Sequence, residues 1–232
     1  MNAAASMKLY GSLASPYVAR VAMCAWLKGI DLPMEPAPGG MGSDEFKKTN
    51  LTGKIPALMT ADGYCITESE VIAEYLEVLF PEPALLPADP LGQAQSRMIT
   101  RLTDAYIAPH NTPLMRMRDP AGRDQAVVDR QAAEFATGFA IIEHYMGPGP
   151  FAVADKPMLA DCALAPFIGM LQQTIFPFFD EIPDPTLQGG RLEIWWQALQ
   201  DHERCQQSID AYSNALEEFL TRLWARMSQV RG

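Results

Sequence analysis

The apolar positions of this chain change their spacing once. Up to about residue 80 they form short runs broken by Gly, Pro and acidic turns; beyond residue 90 they recur at helical spacing almost throughout. The first pattern predicts strands alternating with helices, the second helices alone. Met7 to Tyr10 reads as a short strand. From Pro16 to Lys28 the residues Val18, Val21, Ala22, Ala25 and Trp26 keep a helical period, and Gly29 supplies the stop. A β-like piece at Leu32 to Glu35, a loop with Gly39, Gly40 and Gly42, and a short helix near Asp44 to Lys48 follow. Ala57 to Thr60 and Tyr64 to Thr67 flank Asp62-Gly63, a hairpin signal. Val71, Ile72, Tyr75, Leu76 and Leu79 then mark one face of a helix, with Thr67 and Glu70 at capping-box spacing. The order is β-α-β-α-β-β-α.

Prolines 81, 83, 87 and 90 make the next stretch a stiff linker. Leu91 to Arg118 reads as one long helix kinked at Pro109 and Pro113. Helices over Asp124 to Met146, Asp161 to Gln173, Leu192 to Gln200 and Ser213 to Met227 complete the pattern. The expected plan is an α/β domain at residues 1–80, a linker at 81–90 and an all-α domain at 91–232.

Composition narrows the function. With 232 residues, 48% hydrophobic and 20% charged, the chain is long and apolar enough for a globular core. No run approaches the ~18 apolar residues of a membrane span. Met1 to Ser6 lacks the basic and apolar regions of a secretory signal and reads as a frayed extension. Cys24, Cys65, Cys162 and Cys205 form no C-x-x-C and sit in apolar runs, so buried free thiols in a reducing cytoplasm are expected. A net charge of −10 disfavours nucleic acid and anionic membranes. Histidines at 110, 144 and 202 are too dispersed for a metal site, and no G-x-S-x-G elbow marks a serine hydrolase.

The chemistry concentrates in three short segments. Ile55-Pro56-Ala57-Leu58 and Thr67-Glu68-Ser69-Glu70 place an Xaa-Pro bond, strand-edge backbone, a carboxylate and a helix N-terminus near one another, as a small zwitterionic ligand requires. Upstream, Pro16 fits the first helical position and makes Ser15 the N-cap. With Asn50-Leu51-Thr52-Gly53-Lys54 and Arg20-Val21, these segments resemble the glutathione site of the cytosolic glutathione transferase family. The resemblance covers residues 7 to 220 and implies a thioredoxin-like domain followed by a helical one, probable partners being glutathione as co-substrate, a hydrophobic small molecule and a second copy of the chain in a homodimer.

The resemblance also implies roles. Ser15 stands where tau-like members carry the catalytic serine; omega-like members have Cys there, and zeta-like members use an earlier serine, which makes Ser12 the runner-up. Ile55 would pair its backbone with the cysteinyl part of glutathione across a cis bond to Pro56, and Lys54 would meet the glycine carboxylate. Glu68 would hold the γ-glutamyl ammonium, and Ser69 the neighbouring carboxylate. Leu51 departs from the family's Pro, and Met158 stands where a Ser or Thr usually caps the helix of Asp161. Leu13, Tyr106, His110 and Met115 are the candidates for the second substrate, with Phe176, Phe178 and Phe179 either beside them or simply packing the second domain.

Magnitudes fit a single hydroxyl. A thiol of pKa ~8.5 is only ~3% ionised at pH 7, and lowering it by ~2 units needs ~2.7 kcal/mol. One hydrogen bond to a charged acceptor supplies ~1.5–3 kcal/mol and a helix N-terminus ~0.3–1 more. The expected reaction is conjugation of glutathione to a hydrophobic electrophile, as in detoxification. A glutathione-dependent isomerase or ether-cleaving lyase uses the same thiolate, and a non-enzymatic binding module would keep only the fold; these alternatives stay open.

Overall fold

The computed structural model describes residues 7–230; the extension expected at Met1 to Ser6 lies outside the described residues. The chain forms two compact units, one running to Ala84 and taking in the residues from Gln207 onward, the other Leu85–Gln206.

The first unit contains β1 (Lys8–Tyr10), α1 (Pro16–Leu27), β2 (Met34–Glu35), α2 (Asp44–Lys47), β3 (Ala57–Met59), β4 (Cys65–Thr67) and α3 (Ser69–Leu79). This is the β-α-β-α-β-β-α order of the sequence pattern. The sheet runs β2-β1-β3-β4, with β1 and β2 parallel and the other pairs antiparallel. Leu9 and Leu58 fill its centre, while Val18 and Val21 of α1 and Ile72 and Leu76 of α3 are fully buried where these helices pack together.

Two glycines punctuate this unit. Gly29 takes φ +68, donates to the Trp26 carbonyl and lets the Ile30 N–H reach Ala25 O at 2.8 Å, a Schellman stop for α1. Gly63 takes φ +79 in the hairpin, donating to Thr60 O at 3.0 Å. The capping box expected from Thr67 and Glu70 does not form. The N-cap of α3 is Glu68, and its φ of +66 turns the chain in a way the spacing rule does not foresee.

At the far end of α1, Lys28 is buried, with its ammonium 2.6 Å from Glu77 and donating to Phe80 O at 2.6 Å and Pro83 O at 2.9 Å. All three ammonium protons have acceptors, the condition a buried charge needs. The start of the proline-rich stretch is therefore tied to α1 and α3.

The second unit contains α4 (Pro90–Tyr106), α5 (Ala108–Met115), α6 (Gln125–Tyr145), α7 (Leu159–Thr174), α8 (Arg191–Asp201) and the first residues of α9 (Glu203–Val230). Where one kinked helix was expected over Leu91 to Arg118, the helix ends and restarts at Ile107 (φ −115, ψ −55), with Pro109 in the first turn of α5. Proline disfavours helical geometry in the residue before it and lacks an N–H, so a restart accommodates it better than a kink. The last helix begins at Glu203, not Ser213, because Cys205 and Ser208 are also buried.

The core of this unit is α7, packed on α4 and, with α4, supporting α6. By length and composition the stretch Leu159–Phe178 could cross a membrane (mean hydropathy 1.3), contrary to expectation, but 83% of it is buried within the fold. It is a core helix. Asp161 in its first turn is fully buried and accepts from Met158 N at 2.7 Å, Ala152 N at 2.8 Å and Trp195 Nε1 at 2.7 Å. Burial pushes its pKa up against the pull of these donors. Met158 offers no side-chain cap, so Asp161 alone closes the helix start.

Candidate functional site

Sheet register brings three segments to one edge. Tyr10 faces Ala57 across the β1–β3 pair, and Ala57 faces Thr67 across β3–β4. Just beyond this row lie the loop to Ser15, the Ile55-Pro56 dipeptide and Glu68-Ser69. Tyr10 and Thr67 are two strand spacings apart, ~9.5 Å, about the ~10 Å length of an extended tripeptide.

Ser15 is the N-cap of α1, with extended backbone (φ −86, ψ 127), yet its hydroxyl makes no capping bond. Ser43 at the start of α2 behaves differently: its oxygen accepts from Phe46 N at 3.0 Å and its hydroxyl donates to Pro38 O at 2.7 Å. Ser15 is half-buried, and its hydroxyl is left for another partner at the positive end of a helix. Ser12, the runner-up, is exposed, and its carbonyl accepts from Ser15 N at 3.0 Å.

The Ile55-Pro56 bond is cis. Ile55 precedes the β3 ladder, and among the described residues its N–H and C=O make no backbone hydrogen bond. A half-buried edge of this kind can pair with an extended peptide. The loop before it is fixed by Asn50, whose amide donates to Lys54 O at 2.8 Å and whose carbonyl accepts from Thr52 N at 3.1 Å. Lys54 extends from this loop and is exposed.

Glu68 is exposed and is the one non-glycine residue at positive φ among those described. Such a conformation costs ~1–3 kcal/mol and persists where surrounding structure imposes it. Ser69 beside it is buried, and its Oγ accepts from Arg20 Nη1 at 3.0 Å. This partner, fixed by α1 and 49 residues away, has no local signal in the sequence.

The second-substrate candidates do not all stand alike. Leu13 is half-buried in the first unit. In the second, Tyr106 ends α4 and is exposed, and Met115 ends α5 half-buried. His110 Nδ1 lies 2.7 Å from Gln131 Oε1 and its ring meets the Phe135 ring edge-on. Phe176 packs against Phe139, Phe178 lies under Arg118 and Phe179 under Arg123, so all three phenylalanines pack within this unit.

All four cysteines are free. Cys65 is half-exposed, in contrast to the burial expected, because β4 is the sheet edge. The thiol of Cys24 is pushed up to about 12 by burial, which makes it an inert core group.

Comparison with known proteins agrees with this geometry. Residues 9–84 match the glutathione S-transferase N-terminal domain, and residues 125–195 the glutathione S-transferase C-terminal domain. The maleylacetoacetate isomerase of Rattus norvegicus is 34% identical over 208 residues, covering 86% of this chain and 93% of that protein. That of Pseudomonas aeruginosa is 32% identical over 167 residues, covering 69% and 79%. A glutathione S-transferase from Methylobacillus flagellatus KT, solved with glutathione bound, is 27% identical with a TM-score of 0.71 and covers 87% of this chain and 98% of its own. The chain belongs to the glutathione S-transferase family.

Proposed function

We propose that this enzyme binds glutathione along the sheet edge and directs its thiolate at an electrophilic carbon. The observation that carries the reading is the Ser15 hydroxyl, held at a helix start and unused by that helix. A hydroxyl donating to sulfur there favours the thiolate. Ile55 would pair with the cysteinyl backbone, Lys54 would face the glycine carboxylate, and Glu68 and Ser69 would take the two charges of the γ-glutamyl end. Tyr106, exposed at the end of α4, is kept as a contact for a hydrophobic second substrate. Four free thiols fit a cytoplasmic setting. A homodimer fits the exposed Tyr64 on the edge hairpin and the exposed Val71 and Val78 on one face of α3.

Conjugation is the first reading. The relatives named maleylacetoacetate isomerase favour a second, isomerisation. Both begin with thiolate addition to an electron-poor carbon, and on an alkene the addition leaves a single bond. If the adduct stays, it is a conjugate; if it rotates and expels the thiolate, the product is an isomer and glutathione is regenerated. Following glutathione during turnover of aryl halides and of maleyl acids separates the readings, because isomerisation consumes none.

Ultraviolet titration of bound glutathione tests the thiolate assignment. A thiol pKa lowered by about two units is expected in the wild type. Ser15→Ala is expected to restore an ordinary value and slow the reaction roughly 10- to 100-fold at pH 7, with little change in binding. An ordinary thiol pKa in the wild type would sink the role of Ser15.

A further inference from the structure

We infer that Arg20 is a positioning residue that polarises the Ser69 hydroxyl and makes the start of α3 selective for a carboxylate. The inference rests on the glutathione reading above and deepens it. Arg20 is 1% exposed and Ser69 5%, and the Nη1-to-Oγ distance is 3.0 Å. A guanidinium has donors only. The Ser69 oxygen must therefore accept, and its own O–H is left to donate. An anionic oxygen meets that donor favourably, whereas an N–H group meets donor with donor.

Charge acts in the same direction. Arginine keeps its proton under all ordinary conditions, so a buried guanidinium beside the first residue of α3 adds a full positive charge to the helix dipole. Glu68 next to it supplies the opposite sign. A zwitterion with ammonium and carboxylate on one carbon fits this pair.

Arg20 also connects the two helix starts that carry the site. It lies on α1, the helix capped by Ser15, and its guanidinium is 5.6 Å from the centroid of the Tyr17 ring. Ser69 opens α3. One buried side chain thus touches the first turn of one helix while holding the first residue of the other.

Two glutathione analogues separate positioning from support of the fold. 4-Aminobutyryl-cysteinyl-glycine lacks the glutamyl carboxylate, and glutaryl-cysteinyl-glycine lacks the amino group. Calorimetry on the full chain is expected to show that losing the carboxylate weakens wild-type binding roughly 10- to 100-fold. In Arg20→Met that penalty is expected to shrink to about 3-fold or less, while the penalty for losing the amino group stays as in the wild type. Arg20→Lys, again a pure donor, is expected to recover most of the carboxylate preference. If the methionine variant does not fold, Arg20→Gln reads the same ratio without the charge. An unchanged carboxylate penalty, or equal loss of both penalties, overturns the inference and leaves Arg20 as part of the core. Failure of the wild type to bind glutathione at all overturns the reading beneath it, and with it this inference.

Discussion

Helix starts in the two units are built to opposite ends. In the second unit, Asp89 accepts from Gly92 N, Asp124 from Ala126 N, Asp161 from Met158 N, and Glu143 of α6 from Leu192 N in the first turn of α8. Each carboxylate is satisfied by backbone donors of its own unit. In the first unit, α1 and α3 start at Ser15 and Glu68, and neither side chain caps its helix. Polar groups at a helix start either close the fold or wait for a ligand, and the division here follows the division between scaffold and site. Even within the first unit α2 is closed by Ser43, so the open starts are confined to the edge where Ile55-Pro56 also lies.

The comparison breaks hardest at Asp161. Asp161→Ala leaves the donors of Met158, Ala152 and Trp195 buried without an acceptor. Each such orphan costs ~1–3 kcal/mol, and partial relaxation brings the expected total to ~3–5 kcal/mol. Denaturant unfolding checks this. A loss below about 1 kcal/mol would mean that water replaces the carboxylate and that this start is not closed in the sense argued.

Much of the first unit was legible because its signals are local. Pro16 sets a helix start, Gly29 a stop and Gly63 a turn through their own backbone freedom. Ser15 at the N-cap follows from Pro16 alone. The features that escaped are held by partners distant in sequence. Arg20 reaches Ser69 across 49 residues and Lys28 reaches Glu77. The positive φ of Glu68 displaced a capping box whose spacing was correct, because one left-handed residue re-aims every side chain around it. In the second unit, helical periodicity located each main helix. It missed the restart at Ile107 and the early start at Glu203, since polar residues with buried positions carry no periodic mark.

A smaller test compares two serines with the same N-cap position. Ser43 caps α2 and donates to Pro38 O, so Ser43→Ala is expected to cost ~1 kcal/mol of stability and leave glutathione chemistry intact. Ser15 makes no capping bond, so Ser15→Ala is expected to change stability by less than ~0.5 kcal/mol. Thermal unfolding of both variants provides the check. Equal destabilisation would show that Ser15 caps its helix in solution, which would remove the contrast on which its role rests.

The smallest expected effect, and the one of opposite sign, is at Glu68. A side chain at φ +66 carries strain of ~1–3 kcal/mol, which glycine does not pay. Glycine in turn loses more freedom on folding, by ~0.5–1 kcal/mol. Glu68→Gly is therefore expected to leave stability level or raise it by up to ~1 kcal/mol. The same change removes the carboxylate assigned to the γ-glutamyl ammonium, so glutathione binding is expected to weaken roughly 10-fold or more. Unfolding and calorimetry on one variant read both halves. A protein that becomes more stable while binding glutathione less well shows that the strained start is maintained for the ligand. Unchanged binding would return Glu68 to an ordinary first-turn residue, and a clear loss of stability would show that its backbone is held there by the fold for reasons unrelated to the site.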